Sequence, residues 1–246
     1  MSDVLIEKRD GVLRLTMNRP DKKNALTGPM YDAMTTALKE AEGDDAIRAV
    51  LLEGAGGSFT AGNDLGDFLA VAQGKGQSRA FPFIEAVALL QKPIVAAVDG
   101  VAVGVGTTIL FHCDLVYATA QAKFRMPFVD LGLVPEAASS VLAPLRIGMA
   151  KASELILLAE PFGGEEAARL GIVNRVVPVS ELGAVAFEAA RKLAAKPPQA
   201  LRASRALLRG DRKDISAVMK RESDAFAKAL QSDDAKRAFE AFLKKA

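Results

Sequence analysis

Lys92-Pro93-Ile94-Val95-Ala96-Ala97-Val98-Asp99-Gly100-Val101-Ala102-Val103-Gly104-Val105-Gly106-Thr107-Thr108 reads as an apolar strand, a glycine-punctuated turn and the start of a helix. Glycine lets the backbone adopt φ > 0 and approach a ligand closely. Where such a turn runs straight into a helix, free N–H groups and the helix dipole point at one spot, suited to an anion or an oxyanion. An earlier stretch, Ser58-Phe59-Thr60-Ala61-Gly62-Asn63-Asp64-Leu65, makes a second turn of this kind. Two such turns converging supply backbone donors from different loops, the arrangement that holds negative charge developing on a carbonyl oxygen. The same glycines also serve where a strand packs tightly on a helix, so spacing alone leaves both readings open.

Working outward, Val4–Arg9 and Val12–Met17 flank Asp10-Gly11 and predict a hairpin. Residues 29–42 carry Met30, Met34, Ala37, Leu38 and Ala41 at helical spacing. A buried strand at 49–53, a helix at 81–91, the strand Ile94–Val98, a helix after Gly106 and a strand at 114–118 follow. That alternation predicts an α/β fold. After about Val179 the strands stop, and residues 181–195, 198–208, 215–231 and 234–245 read as helices broken at Pro197-Pro198 and Gly210-Asp211. In the third of these, Val218, Ser223, Phe226 and Leu230 mix with charged positions, as in a helix with one buried face. Residues 1–179 are thus expected to form the core and 180–246 a helical region of one integrated domain. The polar, glycine-rich run 72–79 is the candidate mobile loop.

Half of the 246 residues are hydrophobic and the net charge is +2, so a substantial core is expected and nucleic acid is not. One cysteine excludes an internal disulfide framework, and one histidine with one cysteine leaves too few soft ligands for zinc. Neither a signal peptide nor a bilayer-spanning run is present, so a soluble cytoplasmic protein without membrane attachment is expected.

The two turns belong to a longer series: Asn18-Arg19-Pro20-Asp21-Lys22-Lys23-Asn24-Ala25-Leu26, Cys113-Asp114-Leu115-Val116-Tyr117-Ala118, Ala122-Lys123-Phe124, Leu131-Gly132-Leu133-Val134-Pro135 and Ala167-Ala168-Arg169-Leu170-Gly171-Ile172-Val173-Asn174. In this order, over nearly the whole chain, they resemble the crotonase (enoyl-CoA hydratase/isomerase) superfamily. The resemblance implies a spiral of ββα units with a helical C-terminal trimerisation region. It also implies an acyl-CoA substrate, no cofactor beyond the CoA the substrate carries, and a homotrimer or dimer of trimers. It puts the oxyanion donors on the backbone N–H groups of Asn63 and Val105, with Gly104 shaping the second turn.

Family hydratases use two glutamates, and the matching positions here carry Thr108 and Phe128. Neither can act as a carboxylate base, so both are expected to line the substrate without transferring protons. Glu136 remains. Its surroundings, Met126-Pro127-Phe128, Leu131-Gly132, Pro135-Glu136 and Ser139-Ser140, resemble the Δ3,Δ2-enoyl-CoA isomerase branch, whose single catalytic glutamate sits here. A glutamate after proline at a helix start also simply complements the helix dipole. That dipole favours the ionised form, whereas Phe128, Leu133 and Val134 favour a raised pKa by desolvation.

For the CoA moiety, the resemblance points to Arg19, Lys22 and Lys23 near the phosphates and to Ala25, Ala61 and Leu65 around adenine and pantetheine. A solvated surface cluster is the other reading of the three cations. Phe239 and Lys245 are expected to reach a neighbour's CoA. Asp64 joins the substrate contacts while tying its own turn; Asp99 and Asp114 read as structural, and Asp130 and Glu85 as residues near the pocket. His112-Cys113 fails as a nucleophilic pair, because adjacent helical residues do not face each other. The rival functions are weak hydration, thioester hydrolysis, or CoA binding without catalysis.

Overall fold

The computed structural model describes residues 2–72, 75, 78–210 and 212–243. Val4–Arg9 (β1) and Val12–Met17 (β2) form the hairpin, with Asp10 and Gly11 at φ 51° and 75°, the left-handed pair a tight hairpin turn demands. Gly28–Gly43 (α1) buries Met30, Met34, Ala37, Leu38 and Ala41, the predicted stripe. Ala49–Gly54 (β3), Leu65–Ala72 (α2), Ala80–Leu89 (α3), Ile94–Val98 (β4), Val101–Val103 (β5) and Val105–Thr108 (α4) follow. Next come Leu115–Ala118 (β6), Lys123–Arg125 (β7), Ser139–Ile147 (α5), Met149–Ser153 (α6), Phe162–Gly163 (β8), Gly164–Arg169 (α7) and Arg175–Val176 (β9). The chain closes with Val179–Ala194 (α8), Pro198–Arg209 (α9), Arg212–Leu230 (α10) and Asp233–Leu243 (α11).

The main sheet runs β1-β2-β3-β4-β6-β9, antiparallel in the first pair and parallel thereafter. Side chains alternate across it, and both faces are covered. Leu13, Leu15, Val50, Leu52, Ile94 and Ala96 pack beneath α1 and α3, while Val12, Ala49, Leu51, Val95 and Ala97 pack beneath Leu182, Ala186 and Ala190 of α8. Burial on both faces is why β3 and β4 read as unbroken apolar runs. A small second sheet, β5-β7-β8, stands beside it and carries the second glycine turn.

The helical end is fastened to the sheet through Asp114. Its carboxylate accepts from the Ile94 N–H at 2.7 Å, from Arg205 Nε at 2.9 Å and from Arg209 at 2.7 Å, tying α9 to the β4–β6 junction. Phe226, Leu230, Ala235 and Phe239 of α10 and α11 join the larger core. The run 72–79 lies partly outside the described residues. Among the described residues, no helix is long and apolar enough to cross a membrane.

Candidate active site

The two glycine turns touch. Thr60 bridges to the strand before the second turn, its N–H donating to Val101 O at 2.9 Å and its carbonyl accepting from the Val103 N–H at 3.0 Å. Gly62 holds φ 89°, and a Cβ there would stand 2.8 Å from Val103 O. Gly104, at φ 58° and ψ −119°, turns the chain so that Val105 opens α4 with its N–H outside the helical ladder. Among the described residues, no hydrogen bond engages the N–H of Asn63 or of Val105. Both residues line a cavity of about 660 Å³. Tyr31, buried on α1, donates its hydroxyl to Asn63 Oδ1 at 2.6 Å and steadies the first turn.

Glu136 stands on the wall of the same cavity, buried. Its Oε1 accepts from the Thr108 hydroxyl at 2.5 Å, while Oε2 has no partner. A buried, unpaired carboxylate oxygen is costly and rare enough to need a reason. Desolvation pushes the Glu136 pKa up to about 7, against the lowering effect of the Thr108 hydrogen bond and with a smaller push from the Glu222 charge.

The expected helix start is corrected here. The helix begins at Ser139, and Ala137 and Ala138 between it and Glu136 are both left-handed, at φ 59° and 55°. Each such alanine costs about 1–2 kcal/mol, so the loop is held in place by its neighbours. His112 Nε2–H donates to Ala137 O at 2.7 Å, and the Ser139 hydroxyl donates to Glu136 O at 2.6 Å. The carboxylate at the start of α5 is therefore not Glu136. It is Glu222 of α10, which accepts from the Ala138 N–H at 2.6 Å and the Ser140 N–H at 3.0 Å, and also from the Ser140 hydroxyl. The dipole that would have favoured an ionised Glu136 acts on Glu222 instead.

Ala61, Leu65, Gly104 and Phe128 line the cavity, with Phe68 and Phe81 opposite. Thr108, expected against the substrate, is instead fully buried and faces Glu136, because α4 turns its hydroxyl inward. Arg19, expected near phosphate, ties its loop to the first glycine turn: its guanidinium donates to Ala25 O at 2.7 Å and to Asp64 Oδ2 at 3.1 Å. The other Asp64 oxygen accepts from the Gly66 N–H at 3.0 Å, the turn-tying contact expected of it. Ala25 lies off the cavity wall; Lys22 and Lys23 are exposed on the adjoining turn and without an ion pair among the described residues. Phe239, expected at a neighbour's CoA, lines this chain's own cavity and packs on Phe68 with ring centroids 5.2 Å apart. Lys245 lies outside the described residues. Asp130 lines the cavity but is paired with Arg125 at 2.7 Å, and Glu85 is exposed on α3. Cys113 is buried, with its thiol pushed up to about 12 by desolvation, which suits a core residue and not a nucleophile.

Sequence reasoning missed Tyr31 and Glu222. Each carried a signal: Tyr31 is a phenol on the buried face of a helix, where its hydroxyl needs a partner. Glu222 is a lone carboxylate at i+4 spacing between Val218 and Phe226.

The profile of the enoyl-CoA hydratase/isomerase family matches residues 7–246. The chain is 36% identical over 253 residues to a short-chain-enoyl-CoA hydratase of Clostridium acetobutylicum, covering 100% of this chain and 96% of that one. It is 35% identical over 247 residues to enoyl-CoA delta isomerase 2 of Rattus norvegicus, covering 98% of this chain and 63% of that longer protein. Among solved structures, an enoyl-CoA hydratase/isomerase of Pseudoalteromonas atlantica T6c superposes with a TM-score of 0.94 at 42% identity, covering 99% of this chain and 98% of the other.

Proposed function

The chain belongs to the enoyl-CoA hydratase/isomerase family, and from that premise we propose that it is a Δ3,Δ2-enoyl-CoA isomerase. The observation that carries the reading is the lone buried carboxylate on the cavity wall. Of the two acidic residues there, Asp130 is exposed and ion-paired with Arg125, whereas Glu136 is buried with a free Oε2. Thr108 and Phe128 stand where the resemblance puts the hydratase glutamates. Hydration needs a base for water and a proton source for the α carbon; a double-bond shift needs one group that takes a proton and gives it back.

In this reading the thioester carbonyl lies between the N–H groups of Asn63 and Val105. Glu136 removes a proton from C2 of a 3-enoyl chain, and the electron pair left behind spreads into a dienolate whose charge rests on the thioester oxygen. The two N–H donors stabilise that charge. The C2–C3 double bond forms as C4 takes the proton back from the same carboxyl, so no atom is gained or lost. Carboxylate and free Oε2 are buried, so the proton stays out of bulk water during the transfer.

The test is direct. With 3-enoyl-CoA as substrate, absorbance of a conjugated thioester is expected to appear, outpacing hydration of 2-enoyl-CoA by at least about 10²-fold. Hydration at comparable rate would make the chain a hydratase, release of free CoA a hydrolase, and binding without turnover a non-catalytic CoA-binding member.

We also propose a homotrimer or dimer of trimers. The support is the set of exposed apolar side chains Leu145, Met149, Leu157 and Leu158 on α5, α6 and the turn after them, together with Leu207 and Leu208 of α9. Single exposed leucines need no explanation, but a cluster on adjoining turns does.

A further inference from the structure

Glu222 is a buried carboxylate that the reaction above does not use. It sits on the inner face of α10 between Val218 and Phe226, each four residues away and each buried. An ionisable group in an apolar stripe is expensive unless its oxygens are satisfied. Here they are, by donors from a single place: the Ala138 N–H, the Ser140 N–H and the Ser140 hydroxyl, at the start of α5. Those are the groups that a carboxylate only two residues upstream of Ala138 would otherwise compete for. Glu136 is that carboxylate, and its Oε2 is unpaired.

We propose that Glu222 is a positioning residue for the base: by occupying the donors at the start of α5, it fixes the left-handed Ala137-Ala138 loop and keeps the Glu136 carboxylate uncapped on the cavity wall. This rests on Glu136 being the base. The helix that delivers Glu222 also delivers Phe226 to the cavity wall one turn later, so α10 shapes the cavity and holds the base loop with one face. A like charge behind a desolvated carboxyl disfavours its ionised form, which makes a stronger base once the proton is lost. The groups facing this cluster are Glu222 and Arg221 from α10, Tyr31 from α1, Thr108 from α4 and His112 from the segment after it, with the Arg125–Asp130 pair across the cavity.

The test uses Glu222→Gln in the full-length protein and reads the Glu136 titration in two ways. One is the pH profile of kcat/KM on 3-enoyl-CoA. The other needs no activity: the stability gained by Glu136→Gln, measured against pH with and without Glu222→Gln, grows between the unfolded and folded pKa values of Glu136, so its midpoint lies between the two and moves with the folded one. Glu222→Gln is expected to move both midpoints down, the kinetic one by about half a unit or more and the stability one by about half as much, and to lower the plateau kcat roughly two- to fivefold while KM holds. Unmoved midpoints with kcat intact would overturn the proposal, as would a loss of stability with no change in either midpoint. If Glu222→Gln does not fold, Ser140→Ala decides. It removes one of the donors that hold the Glu222 carboxylate at the start of α5, so the Glu136 midpoint should move; no movement overturns the proposal. An unchanged turnover in Glu136→Gln would instead sink the assignment of the base, and the stability midpoints would still report on Glu222.

Discussion

Glu136 concentrates three costs in one side chain: burial, an unpaired oxygen and a loop of two left-handed alanines. Strain and unsatisfied polarity of this kind collect at functional sites. Replacement by glutamine keeps shape and the Thr108 contact but cannot accept a proton at neutral pH. Glu136→Gln is expected to lower kcat by about 10² to 10⁴-fold, with KM nearly constant because the backbone donors are untouched. A variant keeping more than about a tenth of the wild-type rate would leave the reaction without its base. The pH dependence follows from the same group. The base works ionised, so kcat/KM should rise with pH through about 7. Stability runs the other way. A carboxyl raised from 4.5 to about 7 by folding costs nothing below the lower value and its full penalty above the upper one. Glu136→Gln should therefore stabilise the fold by up to about 3 kcal/mol at alkaline pH and by little in acid, as thermal melts across that window can check. Thr108 belongs to this account. Its hydroxyl lowers the Glu136 pKa, so Thr108→Val should move the kcat/KM midpoint upward and depress turnover at neutral pH, with recovery in alkali. A profile that keeps its midpoint would reduce Thr108 to packing.

At the scale of elements, what was legible follows from length and period. The hairpin, α1, β3, β4 and the four C-terminal helices each repeat their pattern long enough to be read. β5, β7, β8 and β9 are two or three residues long, too short to show alternation, and β5 hides inside what reads as a turn. The start of α5 was unreadable for another reason. Alanine is among the last residues expected in a left-handed conformation, and what holds Ala137 and Ala138 there comes from His112 and from Glu222, both distant in sequence. The glycine turns were legible because their residue type is the requirement. They also give the sharpest element-scale test. Gly62→Ala adds a Cβ that would meet Val103 O at 2.8 Å at a φ of 89°, so the turn must shift and carry the Asn63 N–H with it. Loss of one oxyanion donor costs about 10² to 10³ in kcat, and Gly62→Ala is expected to fall in that range with the Glu136 pH midpoint unmoved. A rate within a few-fold of wild type would show that the glycine serves packing alone.

For the whole molecule, the main change concerns the C-terminal helices. The family resemblance assigns them to subunit contacts, with Phe239 reaching a neighbour's CoA. In the fold, Phe226 and Phe239 pack on Phe68, Phe81 packs on Phe226, and all four close the chain's own cavity. The apolar faces of α10 and α11 are thus spent within the chain, while Leu207 and Leu208 of α9 stay exposed. Leu145, Met149, Leu157 and Leu158 of α5, α6 and the turn after them are exposed as well. Burying such side chains is worth about 1.5–3 kcal/mol each, and repetition around a closed ring uses one face per subunit without leaving an open edge. Sedimentation at micromolar concentration is expected to give a trimer or its dimer, and Leu145→Asp with Met149→Asp to give a monomer. Because the cavity is lined by helices of the same chain, that monomer should keep most of the wild-type activity. A wild-type chain that sediments as a monomer would remove the assembly, whereas an inactive but folded monomeric variant would mean that a neighbouring subunit completes the site.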